Sequence, residues 1–253
     1  IGAGLAREAA ARGMTVILAD IDEAPLCAVC DGIGAAASGH RLDVRDGAAM
    51  ERFAEAVFAA HQSIDLLFNN AGVMTTGLSW EIAAADWQRS FDVNVGGIVN
   101  GIRAFVPRML ASGRPGRIVN TASVGGFLPA PLMAPYCATK FAVVALTEAL
   151  AGELSIAGGQ IAVSLLAPGP VRTGIFGEAP NGRARQFHAA MVEHLAQDGI
   201  APDEFASRVF AAIDRNEYWI IPQPEAFDSG FAARNAAIAS RHAPDFFKME
   251  KLQ

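Results

Sequence analysis

The strongest chemical signal in the sequence is a tyrosine followed four positions later by a lysine, Tyr136 and Lys140. The chain holds only 2 tyrosines and 3 lysines, so such a pair has a chance expectation of about 0.02. The spacing places both side chains on one face of a predicted helix, about a turn apart. A phenol has a pKa near 10, and a neighbouring ammonium stabilises its anion; lowering that pKa to about 7 takes roughly 4 kcal/mol. The pair is therefore either a general acid/base or a surface tyrosine beside a solvated lysine.

The chain opens with a glycine-rich segment that leads into a helix and then into a strand ending in an acid. Gly2 and Gly4 precede the helix, and the strand ends at Asp20. This order is typical of the second half of a dinucleotide-binding βαβ unit. Glycine permits close backbone approach, the helix N-terminus offers N–H groups to a pyrophosphate, and Asp20 would accept hydrogen bonds from ribose hydroxyls. Helix packing alone would also explain both glycines.

A strand is expected before Ile1, because a βαβ unit begins with one. We expect about a dozen residues, enough for a strand and a tight turn, to be absent from this end of the sequence. The missing strand would be central, so we expect the edges of its neighbours to be exposed and dinucleotide binding to be weakened.

Short apolar runs alternate along the chain with longer segments of helical periodicity. The runs lie at 14–19, 64–68, 117–120, 161–167 and 218–221, and the periodic segments at 4–12, 47–61, 86–110, 134–157, 203–215 and 225–241. Unbroken apolar strands with helices between them imply right-handed crossovers in a parallel sheet. We predict one α/β domain over residues 1–253, a Rossmann-like doubly wound parallel sheet, with a substrate lid at about 172–200.

Composition excludes several classes of protein. The hydrophobic fraction is 52%, but the most apolar stretch, 141–151, is interrupted by Thr147 and Glu148 and is too short to span a membrane. The net charge of −6 argues against a nucleic-acid partner. Cys27 and Cys30 lack the further ligands of a zinc site and are interpreted as incidental thiols in a reducing compartment. We expect a cytoplasmic protein without a metal, membrane or nucleic-acid partner.

Further motifs accompany the tyrosine–lysine pair in a fixed order. They are Asn-Asn-Ala-Gly at 69–72, Asn94 within Val-Asn-Val, Ser123, and Pro-Gly-Pro-Val-Arg-Thr at 168–173. With these motifs, and with Ser123 thirteen residues before Tyr136, essentially the whole chain resembles the short-chain dehydrogenase/reductase family. The resemblance implies an enzyme that transfers a hydride between a nicotinamide cofactor and an alcohol or ketone.

The resemblance also implies catalytic roles. Tyr136 would be the acid/base, and Lys140 would lower its pKa and bind the nicotinamide ribose. Ser123 would donate to the substrate oxygen and stabilise alkoxide charge. Asn94 would hold a water that relays protons from Lys140 to solvent; the alternative is a polar residue that bends its helix.

The cofactor-binding residues implied by the resemblance, besides Tyr136 and Lys140, are Gly2, Asp20, Asp43, Val44, Asn70, Ala71, Gly72, Pro168, Gly169, Val171 and Thr173. Asp43 and Val44 would contact the adenine, residues 70–72 the adenosine side, and Val171 with Thr173 the nicotinamide carboxamide. Turn chemistry alone would also explain Asn69 and Gly72.

Asp20, the acid at the end of the strand that follows the first helix, favours NAD over NADP. A carboxylate at Asp20 binds a ribose diol and repels a 2′-phosphate, and Asp22 and Glu23 add to the negative field.

Substrate specificity is expected from residues 124–133 and from the lid. Both segments carry apolar side chains, namely Phe127, Leu128, Leu132, Met133, Ile175, Phe176, Phe187 and Met191. They favour a hydrophobic secondary alcohol or ketone over a sugar, unless they only pack the lid onto the body. Two stretches, 105–116 and 218–225, resemble bacterial family members that oxidise benzylic alcohols of lignin-derived aryl ethers, although neither is expected to touch substrate.

Two rival functions remain open at this point. One is an NADPH-dependent ketoacyl-carrier-protein reductase, which Asp20 disfavours. The other is a catalytically silent dinucleotide-binding protein, which the intact Ser123, Tyr136 and Lys140 disfavour. By the resemblance, the helices at 86–110 and 134–157 would pair across a two-fold axis in a homodimer or homotetramer. His188 and His194 are interpreted as solvated or substrate-gating residues.

Overall fold

Among the residues that the structure describes, all the paired strands are parallel and form two sheets. The computed structural model describes residues 1–177, 179–180 and 184–243; four positions of the predicted lid (178 and 181–183) and the tail 244–253 lie outside these ranges. Strands β1 (Val16–Asp20) and β2 (Ala37–Arg41) pair with each other, from Val16 opposite Ala37 to Asp20 opposite Arg41. The second sheet has the order β3 (Leu66–Asn69), β4 (Gly116–Thr121), β5 (Ile161–Leu166) and β6 (Trp219–Ile220).

Helices cover both faces of this layer. They are α1 (Gly2–Ala11), α2 (Glu23–Ile33), α3 (Gly47–His61), α4 (Ala84–Phe91), α5 (Gly97–Ser112), α6 (Ala134–Ala157), α7 (Ala184–Asp198), α8 (Pro202–Asp214) and α9 (Asp228–Ser240). On one face Phe105 and Leu150 of α5 and α6 pack with Ile118 of β4. On the other, Leu5 of α1 and Phe205 of α8 pack with Val119 of the same strand. Successive side chains of β4 thus point to opposite faces of the sheet and pack in two different cores. The predicted doubly wound α/β fold is confirmed.

Two elements went unpredicted, α2 and β2. Strand β2 has the sequence Ala-Ser-Gly-His-Arg and is largely exposed, so it lacks the apolar run by which a buried strand is recognised. The predicted helix at 86–110 is interrupted by a π turn, Asp92–Gly96, between α4 and α5. The predicted bounds of α3 and α6 agree with the structure. Within the described ranges, no helix combines the length and the apolar character needed to cross a bilayer.

A chain of buried polar side chains ties the centre of the sheet to α6. Asn69 Nδ2 donates to Asn120 Oδ1 at 2.9 Å, and Asn120 Nδ2 donates to Thr147 Oγ1 at 3.1 Å. Thr147 Oγ1 in turn donates to the Val143 carbonyl at 2.7 Å. Both Asn120 and Thr147 are fully buried, so each hydrogen bond satisfies a group that has no access to water. The network fixes the position of α6 relative to β3 and β4.

We predict that Asn120→Ala lowers the free energy of unfolding by about 2–4 kcal/mol, because it opens a cavity and leaves Asn69 without its acceptor. Urea unfolding measures the change. Gln197→Ala is the control: its amide donates to Glu193 on an exposed helix surface, so the cost should stay below about 0.5 kcal/mol. Equal midpoints and slopes for Asn120→Ala and the unmodified protein would contradict this role.

Candidate active site

Tyr136 and Lys140 lie in the first two turns of α6, which begins at Ala134 and has Pro135 in its first turn. Both side chains are buried, with exposures of 6% and 3%, and Lys140 Nζ lies 5.6 Å from the centre of the Tyr136 ring. Lys140 Nζ donates to the Thr121 carbonyl at the end of β4, at 2.8 Å. The two side chains therefore share one helix face, directed toward the carboxyl end of the sheet.

Burial dominates the ionisation of both groups. It raises the pKa of Tyr136 to about 12, although the neighbouring Ser123 hydroxyl acts in the opposite direction. Burial also lowers the pKa of Lys140 to about 8. The groups of the protein itself therefore do not bring the pKa of the phenol toward about 7, because desolvation of the phenolate outweighs its stabilisation by neighbours.

Ser123 follows β4 with one residue between them and is placed beside Tyr136. Its Oγ accepts from the Gly125 N–H at 3.0 Å and donates to the Pro168 carbonyl at 3.5 Å. A Cβ at Gly125 would lie 3.3 Å from Tyr136 Cε1 and 3.5 Å from Ser123 Oγ. The hydroxyl and the aromatic ring thus flank one point of the backbone that only glycine leaves open.

Asn94 lies within the π turn and is fully buried. Its Nδ2 donates to the Val73 carbonyl and to Thr139 Oγ1, both at 2.9 Å, and its Oδ1 accepts from the Val73 N–H at 2.8 Å. A Cβ at Gly72 would lie 3.4 Å from Asn94 Oδ1 and 3.6 Å from Lys140 Nζ. The Asn-Asn-Ala-Gly turn, the π turn and α6 therefore meet at this glycine.

The region between the start of α1 and the ends of β3 and β4, which we call the groove, offers polar groups to a ligand. A Cβ at Gly2 would lie 3.1 Å from Asn70 Nδ2, so the helix entry approaches the turn after β3 closely. Asn70 Oδ1 and Thr121 Oγ1 are buried, and neither has a hydrogen-bond partner among the described residues. Orphaned oxygens beside a helix N-terminus fit a hydroxyl-rich anionic group such as a dinucleotide. Gly4 has a packing role, since a Cβ there would meet the Pro202 carbonyl oxygen of α8.

The end of this groove at β1 and β2 carries charges of both signs. Asp20 ends β1, and its Oδ1 accepts from the Asp22 N–H at 3.0 Å. Arg41 stands opposite Asp20 in the parallel register, so both side chains project to the same face. Beyond them, Arg45 forms a bidentate ion pair with Asp43 and lowers the pKa of that carboxyl. The sequence motifs predicted no role for Arg41 or Arg45.

The turn after β5 is held by a residue that belongs to none of the sequence motifs. Gln223 is 3% exposed, accepts from the Gly169 N–H at 3.0 Å and donates to the Pro170 carbonyl at 2.6 Å. The Pro168 carbonyl accepts from the Val124 N–H at 3.0 Å. The segment after β6 is thus linked to the turn that neighbours Ser123. Only a contact map could have found Gln223, because 53 residues separate it from Pro170.

Apolar side chains of α7 and of the loop before α6 pack around Tyr136. Phe187 is buried in a cluster with Met133, Tyr136 and Cys137, and the half-buried side chains at its edge are Met74, Ala130, Leu132, Ile175 and Met191. His188 is buried and its Nε2 lies 3.0 Å from the Phe176 carbonyl oxygen, so of the two expected roles, solvated or substrate-gating, the solvated one is wrong. His194 lies on the exposed side of α7, 2.8 Å from Asp198.

Other candidate residues lie apart from this site. Cys27 is exposed and Cys30 is half-buried, both on α2. In the part of the chain that the structure describes, no three His, Cys, Asp or Glu side chains are grouped to hold a metal ion.

Comparison with known proteins agrees with this geometry. The family model described as "short chain dehydrogenase" matches residues 1–184. A "C alpha-dehydrogenase" of Sphingobium sp. is 34% identical over 257 residues, which is 96% of this chain and 83% of that protein.

Two solved structures have the same fold and carry different cofactors. One, from Burkholderia phymatum in complex with NAD, is 36% identical with a TM-score of 0.90 and covers 96% of this chain and 92% of its own. The other, a metagenomic short-chain oxidoreductase in complex with NADP, is 33% identical with a TM-score of 0.66 and covers 84% of each chain.

The burial of Lys140 predicts a pH-dependent stability. Its pKa is 10.5 when exposed and about 8 in the folded protein, so between these values only the unfolded chain holds the proton. The free energy of unfolding of the unmodified protein should therefore rise from pH 8 to pH 10.5 relative to that of Lys140→Met.

Urea unfolding across this pH range measures the difference. Arg103→Met, which removes an exposed cation of α5, is the control and should leave the pH dependence unchanged. Parallel curves for Lys140→Met and the unmodified protein would show that the ammonium is not desolvated.

Proposed function

The chain belongs to the short-chain dehydrogenase/reductase family, and we propose that it is an NAD-dependent dehydrogenase of hydrophobic, preferably aromatic, secondary alcohols. The observation that carries the proposal is the position of Tyr136. Its ring lies between a polar side, formed by Ser123 and Lys140, and an apolar side, formed by Met133 and Phe187. A carbinol carbon that sits between these sides has an acid/base at its oxygen and a hydrophobic environment for its substituents.

The proton chemistry is assigned to three side chains. Tyr136 Oη takes the proton of the alcohol in oxidation, and Ser123 Oγ donates to the substrate oxygen. The weak 3.5 Å bond to Pro168 leaves the Ser123 hydroxyl free to turn toward a substrate. Lys140 stabilises the phenolate when its Nζ is charged. The cofactor, when bound, supplies the hydride acceptor and a positive charge that adds to the effect of Lys140.

A proton leaves Tyr136 by way of Lys140 in this proposal. Lys140 Nζ and Asn94 Oδ1 both lie within 3.6 Å of the position that a Cβ on Gly72 would occupy. A water at this point would connect the ammonium to the groove. The Asn94 amide donors already hold Val73 and Thr139, so its contribution is to fix the Val73 backbone and to offer Oδ1.

The cofactor is held by the residues around the groove. Gly2 and residues 70–72 would contact its central part, Asp20 the ribose diol, Asp43 and Val44 the adenine, and residues 168–173 the nicotinamide. Asp20 supports NAD, since its carboxylate repels a 2′-phosphate. Arg41 lies opposite Asp20, and its positive charge moderates this repulsion. The preference for NAD therefore depends on the Asp20 carboxylate.

The substrate class is supported by the composition of the lid and by one relative. On its apolar side, the described side chains around Tyr136 include methionines, a phenylalanine and aliphatic residues, which adapt to an aryl group. The Sphingobium relative is named a C alpha-dehydrogenase, which agrees with oxidation at a carbon that bears an alcohol. Residues 172–200 would act as the lid, and the functional unit would be a homodimer or homotetramer.

An NAD-linked panel of aromatic, steroid, acyl and polyol secondary alcohols tests the proposal by NADH absorbance. Benzylic and other aryl alcohols should react best. Tyr136→Phe should lower kcat by about 10²- to 10⁴-fold, with NADH binding retained. Tyr218→Phe is the matched control, because the second tyrosine of the chain packs in the body and should be dispensable. Unchanged turnover in Tyr136→Phe would refute the acid/base assignment, and NADH binding without turnover on any alcohol would favour a silent protein.

Removal of the Asp20 charge should shift the cofactor preference. We expect the unmodified protein to have the higher kcat/KM with NAD, and Asp20→Asn to raise the NADP-to-NAD ratio of kcat/KM at least about tenfold. Asp22→Asn, two residues further on, should change that ratio less than about threefold, because its carboxylate is not at the strand end. A higher kcat/KM with NADP in the unmodified protein would overturn the assignment of NAD.

A further inference from the structure

Gln223 belongs to the segment at 218–225, to which the sequence assigned no chemistry. The segment leaves the sheet at β6, and its end is fixed to α8 by a bond from Arg208 Nη1 to the Pro222 carbonyl at 2.9 Å. The Gln223 side chain points inward from this anchored backbone and is 3% exposed. A buried amide needs both its donor and its acceptor satisfied, and Gln223 satisfies both on one turn of three residues.

That turn, residues 168–170, has a single backbone donor. Pro168 and Pro170 have no N–H, so only Gly169 can donate, and its bond goes to Gln223 Oε1 at 3.0 Å. A Cβ at Gly169 would lie 3.1 Å from that oxygen and 3.3 Å from Ala226 Cβ. The backbone of the turn is thus pressed against Gln223, with no room for an intervening water.

The carbonyl of Pro170 links Gln223 to the base of the lid. It accepts from Gln223 Nε2 at 2.6 Å and from the Ile200 N–H at 3.1 Å. The Arg172 N–H donates to the Ile200 carbonyl at 3.0 Å, so both ends of the predicted lid are paired here. Any shift of Pro170 moves the two ends of the lid together.

The carbonyl of Pro168 links the same turn to the catalytic serine. It accepts from the Val124 N–H at 3.0 Å and from Ser123 Oγ at 3.5 Å. A displacement of the turn therefore reaches Ser123 directly. One side chain, Gln223, lies behind three parts of the site: the serine, the turn beside the nicotinamide position and the lid.

We propose that Gln223 is a positioning residue, whose buried amide holds the 168–170 turn so that Ser123, the cofactor-binding turn and the lid are aligned for hydride transfer. The inference rests on the proposed function. It predicts that loss of the amide affects cofactor binding and the chemical step, beyond any loss of stability.

Three variants separate positioning from structure. Gln223→Met keeps the length of the side chain and removes both hydrogen bonds. Ser164→Ala is the matched control, because Ser164 is fully buried on β5 and donates to the Glu217 carbonyl at 2.7 Å, at the opposite end of the same strand pair. Gln223→Glu offers the same donor and acceptor as glutamine when its carboxyl is protonated, and only acceptors when it is ionised.

Tm, the Kd for NADH by fluorescence and the KM for NAD are measured for each variant. Gln223→Met should weaken NADH binding and raise the KM for NAD about tenfold, and lower kcat with saturating NAD by a similar factor. Ser164→Ala should lower Tm comparably and leave both constants within about twofold. Gln223→Glu should bind NADH nearly as the unmodified protein does at about pH 5.5 and lose that affinity toward about pH 8.5, as its carboxyl ionises.

The inference is overturned if Gln223→Met loses only thermal stability, as Ser164→Ala does, or if the NADH affinity of Gln223→Glu, divided by that of the unmodified protein, does not change with pH. Failure of the unmodified protein to bind NADH is a different result: it overturns the proposed function, and the inference with it.

Discussion

The burial of the Lys140 ammonium is the constraint on which the geometry of the site depends. A cation removed from water needs an acceptor at short range, and the carbonyl at the end of β4 provides it. This contact requires α6 to lie close to the strand end, which Gly126 allows, since a Cβ there would come 2.8 Å from the Lys140 carbonyl oxygen. The same close approach sets Ser123 beside Tyr136. The position of one charged group thus determines where the hydroxyl and the phenol meet.

Neutral amide side chains hold the loops at the carboxyl edge of the sheets. Asn94 binds the backbone of Val73, Asn100 donates to the carbonyl of Val44 at 2.8 Å, and Gln223 binds the turn after β5. An amide both donates and accepts, so it satisfies a loop backbone without adding charge. Charge in the groove is thereby left to Lys140 and to the acids and arginines at the end formed by β1 and β2.

The sequence predicted the parts of the fold whose signals are local. The apolar runs located five strands, and the strong periodicity of 134–157 located α6 with its tyrosine and lysine on one face. Strand β2 was not predicted because it lies at the exposed edge of its sheet, where burial imposes no apolar pattern. The role of Gln223 was not predicted because it arises from packing against a turn that is far away in the sequence. The spacing of Tyr136 and Lys140 indicates that a cation lies near the phenol, but it carries no information about the burial that raises the pKa of Tyr136 to about 12.

The π turn at Asp92–Gly96 makes this part of the chain sensitive to length. A π turn contains one more residue than the α-helical path it replaces, so the helices on its two sides are out of phase by about 100°. Deletion of any one residue between α4 and α5 would restore a regular helix. It would also rotate one of the two buried faces away from its partner and carry Asn94 off the Val73 backbone. A one-residue insertion or deletion here therefore disturbs two buried faces at once, whereas a substitution alters the contacts of a single side chain.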